Sequence, residues 1–197
     1  MLQDEPLNAE AIQHSLGNQV IGHHITVLEE TTSTNDEVFH RADESAEGVV
    51  VFAEHQTAGR GQHGHRWESA PRKSLCFSIL LRPKIAPNES WRITTWAAAR
   101  IALVLCRNYS LGATVKATND VYVKEQKICG VLLEMRALPG AHVGILGVGI
   151  NVNQGIDDFP AELRAGAVSI AMLTGNKVDR TELAIALLRE LNRNYPP

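Results

Sequence analysis

The sequence has few of the residues that define several large classes of protein. Its 197 residues contain three cysteines, an odd number, and no Cys-x-x-Cys or His-Glu-x-x-His pattern, so we expect neither a disulfide framework nor a structural metal. Cys76, Cys106 and Cys129 lie in apolar runs, which favours buried free thiols. No apolar run approaches the ~18 residues of a membrane span, and residues 1–9 lack the basic and apolar regions of a signal peptide. We therefore expect a cytoplasmic protein with no membrane partner.

A large excess of one charge is also missing. The 19 basic and 22 acidic residues give a net charge of −3, which does not favour DNA or an anionic membrane as a partner of the whole surface. Any positive site must therefore be local. The segment from Gly59 to Lys73 is the strongest candidate, because it carries four Lys or Arg residues against one acid, Glu68.

The most informative segment is rich in glycine and runs from residue 58 to residue 67, AGRGQHGHRW. Its glycines allow the backbone to turn and to approach a ligand closely, and the Arg and His side chains between them can donate to an anion. Gly59, Gly61 and Gly64 match G-x-G-x-x-G, but no helix pattern follows and residues 79–85 contain no acid. A dinucleotide-binding loop is therefore not indicated. Taken alone, the segment is equally typical of a solvated surface turn.

Periodicity and turn residues predict one domain of mixed secondary structure. Residues 1–22 are a polar lead-in with a weak helix over residues 9–16, too short for a DNA-reading helix-turn-helix, and residues 23–197 form the domain. Strands are predicted over residues 25–29, 48–54, 74–81, 114–117, 121–124, 127–135 and 142–152. Helices are predicted over residues 33–43, 89–109, 160–164, 169–173 and 180–193, with Trp91 and Trp96 of the longest one in the core. Strands grouped centrally with helices outside indicate an α+β fold.

At four separate places the chain resembles the biotin protein ligases. Residues 54–67, EHQTAGRGQHGHRW, look like that family's glycine-arginine-glycine loop closed by tryptophan. Residues 116–120 (KATND), 130–134 (GVLLE) and 147–152 (GVGINV) follow in the family's order and spacing. The resemblance covers about residues 25–193. It implies a mixed, largely antiparallel central sheet flanked by helices, like the catalytic domain of class II aminoacyl-tRNA synthetases.

The resemblance also implies a two-step reaction. ATP, with Mg²⁺, would activate biotin to biotinyl-5′-adenylate. The biotinyl group would then pass to a lysine of a biotin carboxyl carrier domain of a biotin-dependent carboxylase, which is the expected partner of a monomer or weak homodimer. A carboxylate and an α-phosphate repel each other, so such a site requires cations where the two anions meet.

Site residues follow from the resemblance, position by position. The catalytic residues would be Lys116 and Arg60, which bridge the two anions. Asp120 is our own hypothesis for a third, since a neighbouring carboxylate can favour the neutral form of the acceptor amine. The biotin-binding residues would be Ser33, Thr34, Asn35, Gln56, Gly59, Arg60, Gly61, Gln62, Lys116 and Gly130. The nucleotide-binding residues would be Trp67, as a lid over the adenine side, His65, Asn119 and Asn151. No residue is assigned as a metal ligand.

Simpler roles stay open for several of these residues. Ser33 and Thr34 are also typical helix-capping residues. Gln56 could be an ordinary loop amide, Trp67 a core residue and Lys116 a solvated lysine on a strand.

The chain departs from the family pattern at three places. Gln62 and His65 stand where many members carry arginine, so weaker retention of the adenylate is expected. Ala117 and Thr118 replace a tryptophan-proline pair beside the lysine. The chain also ends at Pro197, before the small β-barrel domain that many members carry. Two alternatives therefore stay open, a lipoate or octanoate attachment enzyme of the same fold family and a non-catalytic biotin-binding module.

Overall fold

The computed structural model describes residues 5–116, 119–193 and 195, except for the side chain of Pro87. The strands are β1 (Ile25–Thr31), β2 (Val50–Gln56), β3 (Ser74–Leu81), β4 (Ala113–Lys116), β5 (Asp120–Val123), β6 (Gln126–Leu138) and β7 (Ala141–Asn151). The α-helices are α1 (Ala9–Leu16), α2 (Thr34–His40), α3 (Trp91–Tyr109), α4 (Ile170–Thr174) and α5 (Arg180–Arg193). Short 3₁₀ turns lie at Gln62–Gly64, Pro87–Glu89 and Ile156–Asp158.

All of these strands join in one sheet, in the order β1-β2-β3-β7-β6-β5-β4. β1 and β2 run parallel, and every other neighbouring pair is antiparallel. The long β6–β7 hairpin keeps one register from Cys129 opposite Ile150 to Leu138 opposite Ala141. The predicted mixed, largely antiparallel sheet is therefore confirmed.

Helices cover the two faces of the sheet unequally. α1, α3 and α5 pack on one face, where the main core includes Ile101 of α3, Leu188 of α5 and Phe77 of β3. α2 packs on the other face, where Val38 meets Ile145 in a smaller cluster. Within the described ranges, no helix is both long enough and apolar enough to cross a membrane.

Most predicted elements are confirmed to within a few residues. β3 and α5 begin and end where the sequence patterns predict, and α1 coincides with the weak helix predicted over residues 9–16. The apolar run that predicts β2 is unbroken because both sides of this strand are buried. Phe52 faces the main core, whereas Val51 lies in the cluster beneath α2.

Two predictions about helices are wrong. Residues 161–166 form turns and not a helix, with bonds of the i→i+3 type such as Leu163 N to Pro160 O at 2.9 Å. These residues are all exposed, so the segment has no buried apolar stripe to stabilise a helix. Trp91 does not join the core, because it is the first residue of α3 and is 54% exposed. Trp96, further along α3, packs against the core as predicted.

The predicted lead-in packs on the domain. Asn8 caps α1 by accepting a hydrogen bond from Ala11 N at 2.9 Å. Ile12 and Leu16 of α1 are buried in the main core. α1 therefore shares the main core with the elements that follow it.

A buried ion pair joins this N-terminal segment to the sheet and to α5. Arg180 Nη1 lies 2.5 Å from Glu54 Oε2, and the two side chains are 3% and 2% exposed. The same guanidinium donates to Ser74 O at 3.1 Å and to Glu5 O at 2.6 Å. Glu54 Oε1 accepts from Leu7 N at 2.6 Å. Each ion thus has an opposite charge and further hydrogen bonds, which buried ions require.

Removing one member of this pair should destabilise the protein strongly. Arg180→Met leaves the Glu54 carboxylate buried without its counter-charge, and we expect a loss of about 3–5 kcal/mol in the free energy of unfolding. The double variant Glu54→Gln, Arg180→Met should lose less, because no uncompensated charge remains in the interior. Urea unfolding followed by circular dichroism at pH 7 measures both losses. An equal loss in the two variants would contradict the charge argument.

Candidate active site

The candidate site lies on the α2 face of the sheet, where a row of small residues crosses neighbouring strands. Gly149 of β7 pairs with Cys76 of β3 on one side and with Gly130 of β6 on the other, and Gly130 pairs with Asp120 of β5. Successive side chains of a strand point to opposite faces, so Val148 lies in the main core and Gly149 does not. The row leaves a hollow in the sheet surface that a ligand or a side chain can fill.

A cavity over this row brings together most of the residues that the sequence predicts. Those lining it are Ser33, Thr34, Asn35, Gln56, Arg60, Gly61, Gln62, Trp67, Asn119, Asp120 and Gly130. Its lining also contains residues without a predicted role, namely Lys127, Val131, Leu132, Gly147, Val148 and Gly149. Four residues with a predicted role do not line it: Gly59, His65, Lys116 and Asn151.

One end of the cavity is a polar corner formed by Thr34, Asn35, Gln56 and Ser78. α2 begins at Thr34, whose N–H therefore has no partner within the helix and donates to Gln56 Oε1 at 2.9 Å, as its hydroxyl does at 3.0 Å. Ser78, fully buried in β3, lies 2.7 Å from Thr34 Oγ1 and 2.5 Å from Asn35 Oδ1. Ser33 precedes α2, but its side chain makes no capping hydrogen bond.

The glycine loop, residues 59–67, folds back on itself beside the polar corner. Gly61 N donates to His65 O at 2.7 Å, and Trp67 N donates to Gly59 O at 3.0 Å. A Cβ atom on Gly59 would lie 2.5 Å from Trp67 O, so a side chain cannot be accommodated there. Gly64, with φ at 79°, makes the left-handed turn at the tip. The loop thus returns Trp67 to the sheet.

Arg60 lies in a charge cluster formed by Asp36, Arg60, Glu134 and Arg136. The Arg60 guanidinium makes a bidentate pair with Asp36 at 2.7 and 2.8 Å and reaches Glu134 Oε2 at 3.1 Å. Arg136 contacts the same two carboxylates at 3.1 and 3.3 Å. The hydrogen bond from Arg60 holds the pKa of Asp36 below its usual value. Burial opposes ionisation of Glu134, yet hydrogen bonds from Asn35 and Arg60 keep its pKa below its usual value too. Both carboxylates are therefore ionised at neutral pH.

Trp67 fills the hollow above the row of small residues. A Cβ atom on Gly149 would lie 2.3 Å from the indole Cε2 atom, and one on Gly130 would lie 3.2 Å from Cζ3. The indole Nε1 is buried and makes no hydrogen bond to any residue that the structure describes.

Cys76 lies at the end of the same row and is not a nucleophile. Burial raises the pKa of its thiol to about 12, and the nearby Trp67 indole only partly offsets this effect. The thiol therefore stays protonated at neutral pH, in the unreactive form.

Lys127 and not Lys116 supplies the second cation of the cavity. Lys127 Nζ lies 2.8 Å from Asp120 Oδ2 and 5.8 Å from the centroid of the Trp67 ring. Lys116 Nζ instead lies 2.5 Å from a carboxylate oxygen of Glu125, in the β5–β6 turn. The two lysines therefore have different surroundings. Lys116 lies shortly before Asp120 in the chain and opposite it in the sheet, whereas Lys127 forms the ion pair with the Asp120 side chain.

A bulge in the β5–β6 pairing explains why the sequence patterns missed Lys127. Val121 pairs with Cys129, but the next residue, Tyr122, pairs with Lys127, so the register shifts by one residue. Such a bulge redirects side chains relative to a regular ladder. The sequence does carry a signal, a lysine three residues before Gly130, but it becomes informative only once Gly130 is known to line the cavity.

The remaining predicted residues lie around the cavity wall. Asn119 donates to Val131 O and to Asp120 Oδ1, each at 3.1 Å. Asn151 is buried behind the wall and donates to Lys127 O at 3.4 Å. His65 is exposed on the glycine loop. The departures from the family pattern at positions 117 and 118 lie outside the described residues.

Comparison with known families decides what kind of protein this geometry belongs to. The model of the biotin/lipoate A/B protein ligase family matches residues 25–151, a range that begins with β1, ends with β7 and includes every residue that lines the cavity. The chain belongs to the biotin/lipoate A/B protein ligase family. The match covers more than half of the sequence and all of the sheet.

Individual relatives within the biotin/lipoate A/B protein ligase family agree with this. The chain is 32% identical over 191 residues to the bifunctional ligase/repressor BirA of Bacillus spizizenii, a match that covers 96% of this chain and 59% of the relative. It is 35% identical over 190 residues to the biotin–[acetyl-CoA-carboxylase] ligase of Mycobacterium tuberculosis, covering 91% and 68%. The chain thus spans about three fifths of the length of the Bacillus relative.

Structural comparison gives the same result. The biotin protein ligase from Aquifex aeolicus in complex with biotin and ATP superimposes with a TM-score of 0.74 at 30% identity, over 86% of this chain and 69% of that one. The fold implied by the sequence resemblance, a sheet and helices like those of class II synthetases, is thereby confirmed.

In this biotin/lipoate A/B protein ligase family member the cavity is narrow. Its volume is about 40 Å³, well below the ~300–1,000 Å³ of typical small-molecule sites. Trp67 and the glycine loop occupy the space over the row of small residues, so a ligand of ordinary size requires them to move.

Gly149→Ala tests the position of Trp67. The new methyl group would meet the indole at 2.3 Å, so the ring must shift. We expect a loss of about 1–3 kcal/mol in the free energy of unfolding and faster alkylation of Cys76. Gly112→Ala is the matched control, because nothing lies within 4 Å of a Cβ atom there. Urea unfolding and iodoacetamide labelling followed by mass spectrometry measure the two effects, and identical behaviour of the two variants would contradict the packing described.

Proposed function

We propose that the protein joins biotin and ATP to form biotinyl-5′-adenylate and transfers the biotinyl group to a lysine of a biotin carboxyl carrier domain. One observation carries the proposal, a single cavity whose lining contains a polar corner and two cations, Arg60 and Lys127. The relatives support it, since one is a biotin–[acetyl-CoA-carboxylase] ligase and another is a biotin protein ligase in complex with biotin and ATP.

The polar corner suits the ureido ring of biotin. This ring offers two N–H donors and one carbonyl acceptor on an apolar body, and a buried site must match each of them. Gln56 and Asn35 supply amide oxygens as acceptors, and the Thr34 hydroxyl can donate or accept. Leu132 lines the cavity beside these groups and can contact the apolar part of the ring system.

The first step needs positive charge where two anions meet. A carboxylate oxygen of biotin attacks the α-phosphorus of ATP, and the new O–P bond forms as the bond to pyrophosphate breaks. Arg60 and Lys127 line the cavity, and we assign to them the stabilisation of the charge that gathers at the phosphorus. Lys116, which the sequence resemblance suggests for this role, does not line the cavity.

The second step needs a group that takes up a proton. The acceptor amine attacks the acyl carbon of the adenylate, the bond to AMP breaks, and the nitrogen must lose a proton. Asp120 lies at the end of the small-residue row, 2.8 Å from Lys127, and is the one carboxylate among the described lining residues. We propose that Asp120 favours the neutral amine and accepts its proton.

Trp67 and the glycine loop would then cover the reactive intermediate. Once displaced from the row of small residues, the Trp67 indole can pack over the adenine side, with Asn119 and Asn151 nearby. Closure of the loop would exclude water from the mixed anhydride. Gln62 lines the cavity without a charge, so weaker retention of the adenylate stays the expectation.

Mg²⁺ is expected to enter with the triphosphate. Within the described ranges, no group of three or more His, Cys, Asp or Glu side chains could hold a metal ion. Mg²⁺ commonly takes its ligands from substrate phosphates, water and one or two carboxylates, so it does not require such a group. The ion would supply charge neutralisation at the phosphates.

Lys127→Ala and Lys116→Ala form the decisive pair of variants. The protein is mixed with biotin, Mg·ATP and a biotin carboxyl carrier domain, and mass spectrometry follows the gain in carrier mass. We expect Lys127→Ala to slow labelling by about 100-fold or more, because a preorganised charge is lost, and Lys116→Ala to stay within about threefold of the parent, because its exposed ion pair is worth little. Thermal unfolding confirms that both variants fold. Parental labelling by Lys127→Ala, or equal losses in the two variants, would contradict the assignment.

The same assay separates the alternatives. Labelling with lipoate or octanoate but not with biotin would identify a lipoate-type attachment enzyme. Biotin binding without release of pyrophosphate would identify a non-catalytic binding module. Both outcomes would reject the proposed function while leaving family membership intact.

A further inference from the structure

A hydrogen-bonded chain begins in the polar corner. Thr34 Oγ1 lies 3.0 Å from Gln56 Oε1 and 2.7 Å from Ser78 Oγ, which in turn lies 2.5 Å from Asn35 Oδ1. Each hydroxyl has one proton to donate, so the two hydroxyls cannot supply all three contacts. When Ser78 donates to Asn35, the single Thr34 hydroxyl proton can go to Gln56 or to Ser78 but not to both. The state of Asn35 is therefore linked to that of the whole corner.

The chain continues from Asn35 to the glycine loop through one carboxylate. Asn35 Nδ2 donates to Glu134 Oε2 at 2.8 Å, and the same oxygen accepts from Arg60 Nη2 at 3.1 Å. Arg136 Nη2 lies 3.3 Å from it as well. Glu134 is thus the direct bridge between a residue of the polar corner and a residue of the loop that carries Trp67.

Asp36 gives Arg60 a second anchor that bypasses this bridge. It holds Arg60 by two hydrogen bonds, at 2.7 and 2.8 Å, and no hydrogen bond joins its side chain to Asn35 or Ser78 within the described network. The two carboxylates therefore act differently. Asp36 fixes Arg60, whereas Glu134 fixes Arg60 relative to Asn35.

We propose that Glu134 is a positioning residue that couples occupation of the polar corner to closure of the glycine loop. A ligand that donates to Asn35 Oδ1 polarises the amide and strengthens its donation to Glu134, which holds Arg60 and the loop more firmly. The ligand is biotin by the proposed function, on which this part of the inference rests. The link between Glu134 and the loop is independent of the ligand.

Tryptic cleavage of the whole protein measures this coupling. The bonds after Arg60 and Arg66 lie in the glycine loop, and mass spectrometry identifies cleavage at each. We expect Glu134→Gln to raise loop cleavage without ligand by about tenfold, the effect of losing one charge-assisted hydrogen bond. In this variant, saturating biotin should no longer slow loop cleavage, whereas in the parent it should slow it severalfold.

Asp36→Asn and Glu37→Gln are the matched variants on α2. Asp36→Asn should also raise cleavage without ligand but retain protection by biotin, because the bridge through Glu134 remains. Glu37 bonds to Arg41 and Thr31, away from the loop, so Glu37→Gln should match the parent. A merely structural defect in Glu134→Gln would instead lower the thermal midpoint and raise cleavage throughout the chain.

Steady-state kinetics give a second measurement. Glu134→Gln should raise the KM for biotin by about tenfold with a smaller change in kcat, because loop position affects binding before chemistry. If Glu134→Gln shows the parental rate of loop cleavage and the parental KM for biotin, the proposal is overturned. It is also overturned if biotin still protects the loop in Glu134→Gln but no longer protects it in Asp36→Asn. If the parent itself shows no biotin binding, the proposed function fails, while the cleavage rates without ligand still decide whether Glu134 anchors the loop.

Discussion

Residues with little or no side-chain volume occupy one cross-strand row of the sheet, and the site depends on this. Gly149 and Gly130 lie side by side between Cys76 and Asp120. The opposite face of the same strands belongs to the main core, which is packed densely and holds the row in place. The hollow thus exists because side chains are missing there, and the packed core beneath the strands keeps its shape. Trp67 fits there because no Cβ atom competes with its ring.

Charge is arranged around this hollow in balanced groups. Arg60 is neutralised by Asp36 and Glu134, and Lys127 is neutralised by Asp120. An arriving anion must therefore share each cation with a carboxylate, which reduces the attraction for an anion that makes no other contact. A ligand that also forms hydrogen bonds with the polar corner gains binding energy that compensates for this reduced attraction. Discrimination among anions then comes from the neutral groups and not from the charges alone.

The fold was largely predictable from the sequence, and the site only in part. The apolar pattern predicted the bounds of β3 and α5 correctly, although β3 is buried on both faces and its burial does not alternate. The segment at residues 160–164 has helix-forming residues without a surface to pack on. The glycine loop was recognisable because its residues are contiguous. The charge cluster was not, since Asp36 and Glu134 are 98 positions apart and nothing in the sequence pairs them.

The two lysines show why a motif alone did not identify the cation. Lys116 is opposite Asp120 in the β4–β5 register, so the two residues of the sequence motif are also neighbours in the sheet. The Asp120 side chain nevertheless pairs with Lys127, and this pair is 20% and 33% exposed, against 88% and 42% for Glu125 and Lys116. Solvent screens the exposed pair, so Glu125 holds the Lys116 ammonium, which also lies 4.9 Å from the centroid of the Tyr122 ring, only weakly. Electrostatic stabilisation of a transition state requires a charge that is already in position, and Lys127, which its ion pair with Asp120 holds at the cavity wall, meets that requirement.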